Sequence, residues 1–253
     1  MFDVKTTTEE CIRWIKNWFD EQGKDSPAVI GISGGKDSSV VAALCVRALG
    51  NDRVIGVFLP NGYQSDIYDS YDLADFLGIK TREINILRET ADIYKSLGYL
   101  NEKDISWDIL MGRIPPQIRT NVPARVRMTV LYAIASQVNG RVANTSNKSE
   151  KYIGYSTKWG DSCGDFSPLG GILATEVVEM GKYLGLPEHL VVKAPSDGMC
   201  GKTDEDNLGF TYKELDDYIN GKNIPAESMV KIILMHNNPN TAKKEYGIDT
   251  FIP

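Results

Sequence analysis

Apolar side chains recur along this chain in two alternating rhythms, one helical and one of short unbroken runs. In "TTTEECIRWIKNWFDEQG", residues 6 to 23, Cys11, Ile12, Ile15, Trp18 and Phe19 return every three or four positions, which puts them on one face of a helix. Thr6 with Glu9, or Thr7 with Glu10, offers a capping box at its start, and Gly23 a stop. "PAVIGI" is a short apolar run of the kind a strand buried on both faces shows, and "SSVVAALCVRALG" reads as an apolar helix closed by Gly50.

The same alternation continues. "RVIGVFLP" predicts a strand, "SDIYDSYDLADFLG" a helix ended by Gly78, and "KTREINI" the next strand. Further on, "ARVRMTVLYAIASQ" predicts a helix, "RVANT" a strand, "TEVVEMGKYLG" a helix, and the region around "HLVVKAP" a short strand. The pattern predicts an α/β fold: a doubly wound, Rossmann-like parallel sheet of about five strands with helices on both faces. Residues 98 to 120, holding "RIPPQIR", and 195 to 209, "PSDGMCGKTDEDNLG", lack either rhythm and read as loops. At 253 residues the chain fits one α/β domain, 1–253.

Composition narrows the functional classes. With 34 acidic against 28 basic residues the net charge is -6, which leaves no basic excess for nucleic acid or an anionic membrane. No run of about 18 apolar residues offers a membrane span, and the polar start "MFDVKTTTEE" lacks the pattern of a secretion signal. Cys11, Cys45, Cys163 and Cys200 form no C-x-x-C pair, so neither a zinc site nor a disulfide framework is indicated and a cytoplasmic setting is expected.

The chemistry begins at "GISGGKDSSV", residues 31 to 40, between the first strand and its helix. Neither the Walker A spacing nor G-x-G-x-x-G fits it. Its glycines nevertheless let backbone amides approach an anion, Ser33 and Ser38 add hydroxyl donors, and the following helix points its positive end inward, so phosphate is the natural guest. Asp37 would repel that phosphate unless a cation lay between them, which suggests a Mg²⁺ ligand; the plainer alternative is a helix N-cap.

Ser-Gly-Gly-x-Asp-Ser after the first strand resembles the loop of the ATP pyrophosphatases. The ordered series "NVPARVRM", "NTSNKSE", "GYSTKWGD", "GDFSPLGG", "KAPSDG" and "LGFTYKELDDYINGKNIP" is similar to that of the ammonia-dependent NAD⁺ synthetases over essentially the whole chain. The resemblance implies a homodimeric ligase that amidates deamido-NAD⁺ with ammonia and ATP, through an adenylated intermediate, to NAD⁺, AMP and pyrophosphate. It assigns ATP to Gly31, Ile32, Ser33, Gly34, Gly35, Lys36, Asp37 and Ser38, with Thr145 and Ser196. Mg²⁺ falls to Asp37 and Glu150, and deamido-NAD⁺ to Arg125, Lys158, Asp165, His236 and its neighbour Asn237. Asp37, Glu150 and Lys36 are the expected catalytic groups. Positioning and electrostatics suffice for amide formation by this route, so no serine or cysteine nucleophile is nominated. The phosphate loop begins about thirty residues in, so no fused glutaminase is expected before it.

Three charges of the family pattern are missing. Phe58 stands before "LP" where an arginine is usual, Ala174 where a lysine contacts ATP, and Asn237 where a lysine follows the histidine. Lys36 is therefore expected to supply charge that Ala174 cannot. Two other readings stay open: a paralogue that amidates a different carboxylate, and a nucleotide sensor without turnover. Cys163 and Cys200, in expected loops, receive no role, and His189 is read as a helix-end residue.

Overall fold

The computed structural model describes residues 2–100, 112–192, 203–238 and 248–253. Helix α1 (Val4–Gln22) precedes β1 (Ala28–Gly31), α2 (Lys36–Leu49), β2 (Val54–Phe58), α3 (Ile67–Leu77), β3 (Lys80–Glu83) and α4 (Leu87–Ser96). After them come α5 (Pro116–Val138), β4 (Arg141–Val142), α6 (Lys148–Ile153), β5 (Phe166–Ser167) and α7 (Ala174–Tyr183). The remaining elements are α8 (Glu188–Val192), α9 (Asp204–Leu208), α10 (Tyr212–Ile219), α11 (Ala226–His236) and β6 (Asp249–Thr250).

Strands β3, β2, β1 and β4 form one parallel sheet in that order. Strands β5 and β6 pair in parallel beside it, and a bridge from Ala143 to Phe166 links them to the end of β4. Alternate side chains of β1 explain why helices cover both faces. Ala28 and Ile30 join Cys11, Ile15 and Phe19 of α1, most of α2, and Val177 and Met180 of α7. Val29 points the other way, with Val57 and Val142, into Leu131, Ile134 and Ala135 of α5. The outer strand β3 reads Lys-Thr-Arg-Glu and is exposed throughout, a charged edge that discourages pairing with another chain.

Several expectations are corrected. Of the region around "HLVVKAP", Glu188–Val192 is helical, as α8, and 193–195 lie outside the described residues, so among the described residues the main sheet has four strands where about five are expected. The neighbouring strands come instead from "DFSP" and the C-terminal "DT". The cap of α1 is Asp3, whose carboxylate accepts from Thr6 N at 2.7 Å, not Thr6 or Thr7. Residues 116–120, expected as loop, open α5, with Pro116 at a first-turn position where its missing N–H costs nothing. Pro123 inside α5 cannot donate to the Arg119 carbonyl, and the Tyr94 hydroxyl donates to that carbonyl at 3.3 Å. Part of the second expected loop, Asp204–Leu208, is helical, and its 195–202 portion lies outside the described residues.

Phe166 is fully buried, edge-on to Phe19 at 5.2 Å and stacked on Trp18 at 4.9 Å. The Trp18 indole N–H donates to Asp249 at 2.7 Å, fastening β6 to the same cluster. Phe166→Ala should cost about 3–5 kcal/mol. Urea unfolding of the purified variant measures this, and a loss under about 1 kcal/mol would show that β5 does not depend on its aromatic anchor.

Candidate active site

The loop after β1 turns sharply because Gly34 has φ +79° and no side chain; a Cβ there would stand 2.9 Å from that of Asp69. Gly35 opens α2, and no side chain caps that helix. The first amides of α2 therefore face outward with the positive end of its dipole, as an anion site requires. Ser33 Oγ and Ser38 Oγ lie 3.2 Å apart, and Ser38 Oγ also accepts from Ser33 N at 3.3 Å, so the two hydroxyls brace the turn.

Strands β1 and β4 are neighbours, so the segments that leave them converge. Asp37 follows β1 and Glu150 follows β4, and the fully buried Asn147 ties them together. Its Nδ2 donates to Asp37 Oδ1 at 3.0 Å, its Oδ1 accepts from Glu150 N at 3.0 Å, and its own N–H donates to Glu150 Oε2 at 3.1 Å. This is a capping box whose spare amide reaches a second carboxylate. Burial, and then the charge of Asp37, push the Glu150 carboxyl up to about 8.

Lys36 is buried, with its Nζ 2.6 Å from Asp37 Oδ2 and over the ring of Tyr212 at 5.2 Å. Burial alone would push its ammonium down, but Asp37, Glu150 and Asp204 outweigh that and hold it above the ordinary lysine range, so it stays charged. The Tyr212 hydroxyl is buried without a hydrogen-bond partner among the described residues, and Ala174 belongs to the same apolar cluster as the Tyr212 ring. The Lys36 ammonium thus lies against one member of the cluster to which Ala174 belongs.

A cavity of about 510 Å³ opens at the C-terminal ends of β1 and β2 under α5, the usual ligand position in such sheets. Gly31, Ile32, Ser33 and Thr145 line it, so it adjoins the phosphate loop. Its opposite wall is one face of α5, with Ala124, Arg127, Met128 and Leu131 at helical spacing. The Oδ1 of Asn61, another lining residue, has no hydrogen-bond partner among the described residues and is available to a ligand donor.

The other expected site residues are dispersed. Arg125 is exposed and donates to the Lys158 carbonyl at 3.1 Å, while the Lys158 ammonium lies over Trp159. Arg127, two positions on, lines the cavity, donates to the Leu59 carbonyl at 3.0 Å and interacts electrostatically with Asp161. Asp165 accepts from Val142 N at 2.7 Å and from the Tyr132 hydroxyl at 3.2 Å, binding β4 to α5. His236 stacks on Tyr152 at 4.2 Å with Nδ1 2.8 Å from the Tyr152 carbonyl oxygen; Asn237 is exposed at the end of α11. Of the expected residues Arg125, Lys158, Asp165, His236 and Asn237, none lines the cavity. His189 stands 3.6 Å from Asp72 on the surface. Cys163 lines the cavity, and Ser196 and Cys200 lie outside the described residues. Asn147, Arg127 and Asn61 were not selected from sequence; only Asn147 carried a signal, the Asn-x-x-Glu capping pattern.

Among the described residues no three His, Cys, Asp or Glu side chains gather for a metal. Asp37 and Glu150 nonetheless suit Mg²⁺, which commonly takes one or two carboxylates and completes its shell with phosphate oxygens and water. The mutual repulsion that lifts Glu150 is what a divalent cation would relieve.

The family model described as NAD synthase matches residues 7–246. The NH(3)-dependent NAD(+) synthetase of Methanosarcina acetivorans is 39% identical over 86% of this chain and 82% of its own. The structure of NMN synthetase from Francisella tularensis superposes with TM-score 0.84 at 34% identity, covering 96% of this chain and 97% of that one. NAD+ synthetase from Burkholderia pseudomallei gives 0.72 at 28%, over 94% and 88%.

The raised Glu150 carboxyl has a measurable consequence. Below about pH 4.5 it is protonated folded or unfolded; from there to about pH 8 the folded protein keeps a proton that the unfolded chain releases, so stability falls as pH rises through that window. Glu150→Gln keeps an acceptor for Asn147 N but no charge. In metal-free buffer its melting temperature should gain on the unsubstituted protein between pH 5 and pH 9, and a constant difference across that range would contradict the assignment.

Proposed function

We propose a reaction from one premise, that this chain belongs to the NAD synthase family: it is a ligase that turns the carboxylate of deamido-NAD⁺ into the amide of NAD⁺, consuming ATP and ammonia and releasing AMP and pyrophosphate. The observation that carries this reading is the convergence of an uncapped, glycine-led helix start with the Asp37–Asn147–Glu150 bridge.

The nucleoside of ATP occupies the cavity beside Ser33 and Thr145, and its phosphates lie along the Gly34–Gly35 turn. The substrate carboxylate oxygen bonds to the α-phosphorus as the bond to the β-phosphate bridging oxygen breaks. The α2 amides and the hydroxyls of Ser33 and Ser38 take up the charge of the departing pyrophosphate. Mg²⁺ held by Asp37 and Glu150 would supply further charge neutralisation at the phosphates. Lys36, whose ammonium lies beside Asp37 at the start of α2, turns to the phosphates and provides the charge missing at Ala174. Ammonia then attacks the acyl carbon, the bond to AMP breaks, and a proton leaves with the surrounding solvent. Arg125, Lys158, Asp165 and Ser196 retain the substrate and ATP roles that the resemblance implies, as part of this proposal. The same reading takes residues 1–253 as one synthetase domain working as a homodimer in the cytoplasm; no described helix is long and apolar enough to cross a membrane.

A second reading is favoured by the similarity to an NMN synthetase over nearly the whole of both chains. In it the carboxylate belongs to nicotinate mononucleotide. Asp165 and His236, implied as dinucleotide contacts, already bond to Val142, Tyr132 and Tyr152, which suits a smaller substrate.

Initial rates with ATP, Mg²⁺, ammonium and either deamido-NAD⁺ or nicotinate mononucleotide test both readings. AMP and amide should form in equal amounts, and the larger kcat/KM identifies the substrate; ADP in place of AMP, or tight ATP binding without turnover, would remove the proposal. Lys36→Ala should lower kcat by about 10²-fold, with the KM of the nicotinate substrate little changed. Unaltered kinetics would leave Lys36 without a catalytic part.

A further inference from the structure

We propose that Asp216 is a positioning residue that sets the orientation of Glu150 through Ser149, an inference that rests on reading Asp37 and Glu150 as the metal pair. Glu150 lies on α6, a helix of six residues. So short a helix does not hold its own shape in water, and its orientation must come from what grips it.

The grip comes from α10. Asp216 is 3% exposed, and its carboxylate collects three donors from two other helices. Oδ1 accepts from the hydroxyl of Ser149, the fully buried neighbour of Glu150. Oδ2 accepts from Thr175 N at 2.8 Å and from Thr175 Oγ1 at 2.7 Å. The Ser149 oxygen in turn accepts from Ala174 N at 2.9 Å. The cap position of α7 is Leu173, whose side chain has no oxygen, so Asp216 and Ser149 serve as its cap from outside the helix.

Burying a carboxylate is costly unless charge-assisted hydrogen bonds and a helix dipole offset the cost, and here they do so by joining α6, α7 and α10 at one point. On its other side α6 is held by Asn147. The metal carboxylate is thus fixed from both flanks, by Asn147 at its backbone and by Ser149 and Asp216 at the adjoining residue. Outer partners of this kind act by aiming a ligand, and their loss typically weakens metal binding by about 10–100-fold.

Mn²⁺ binding, measured by electron paramagnetic resonance with a non-hydrolysable ATP analogue on the full chain, separates positioning from simple stabilisation. Asp216→Asn keeps the size but sets an amide N–H₂ against the incoming donors, and Ser149→Ala cuts the link to α6 together with the acceptor for Ala174 N. Both should weaken Mn²⁺ about tenfold or more, and the double variant should be no worse than the weaker single one. Thr175→Val, which cuts only an α7 limb, should lower the melting temperature and leave Mn²⁺ affinity within about twofold. Should Asp216→Asn fail to fold, Ser149→Ala decides alone. Unsubstituted Mn²⁺ affinity in Ser149→Ala, with Glu150→Gln weakened, overturns the proposal; unsubstituted affinity in Glu150→Gln overturns the metal pair beneath it.

Discussion

The pairing of β1 with β4 is the constraint from which the rest of the site follows. Each strand ends in a polar segment that opens a helix, and lateral register alone brings Asp37 and Glu150 into one neighbourhood. Two carboxylates so placed repel each other, and the protein contains that repulsion with one neutral amide, Asn147, and one buried cation, Lys36. The arrangement is an electrostatic deficit on the carboxylate side, facing an electropositive helix start. A phosphate chain accompanied by a divalent cation satisfies both at once, which no monovalent ligand does.

What the strands do not determine is decided by short helices. Besides the local capping box of Asn147, the hydrogen bonds of Ser149 run from α6 to residues far away in sequence, on α7 and α10. The placing of Glu150 beside Asp37 is in this sense a tertiary rather than a local matter. The phosphate loop, by contrast, is local: a glycine with positive φ, two facing serines and an uncapped helix.

That contrast explains how much the sequence disclosed. The glycine turn and the helix start after it were legible because glycine and helix-start chemistry act within ten residues, and the strand–helix alternation pointed to the α/β class because both faces of the inner strand β1 are covered. "HLVVKAP" was misread since a short apolar run looks alike in a buried strand and a buried helical turn; Pro187 and Glu188 before it favour the helix. Arg127 was passed over for Arg125, although residues two apart on a helix point about 200° away from each other and only Arg127 shares the face of Ala124 and Leu131. Asp216 carried no local sign, because its donors come from helices more than forty residues away.

We propose that the loop and carboxylate pair promote transfer of an adenylyl group to a carboxylate. Substrate labelled with ¹⁸O in that carboxylate tests it directly, read by mass spectrometry of the nucleotide product after a single turnover. One ¹⁸O in the AMP phosphate is the predicted result. Label in pyrophosphate or orthophosphate, with none in AMP, would contradict the account, because the attacked phosphorus would then not be the one the loop is placed to expose.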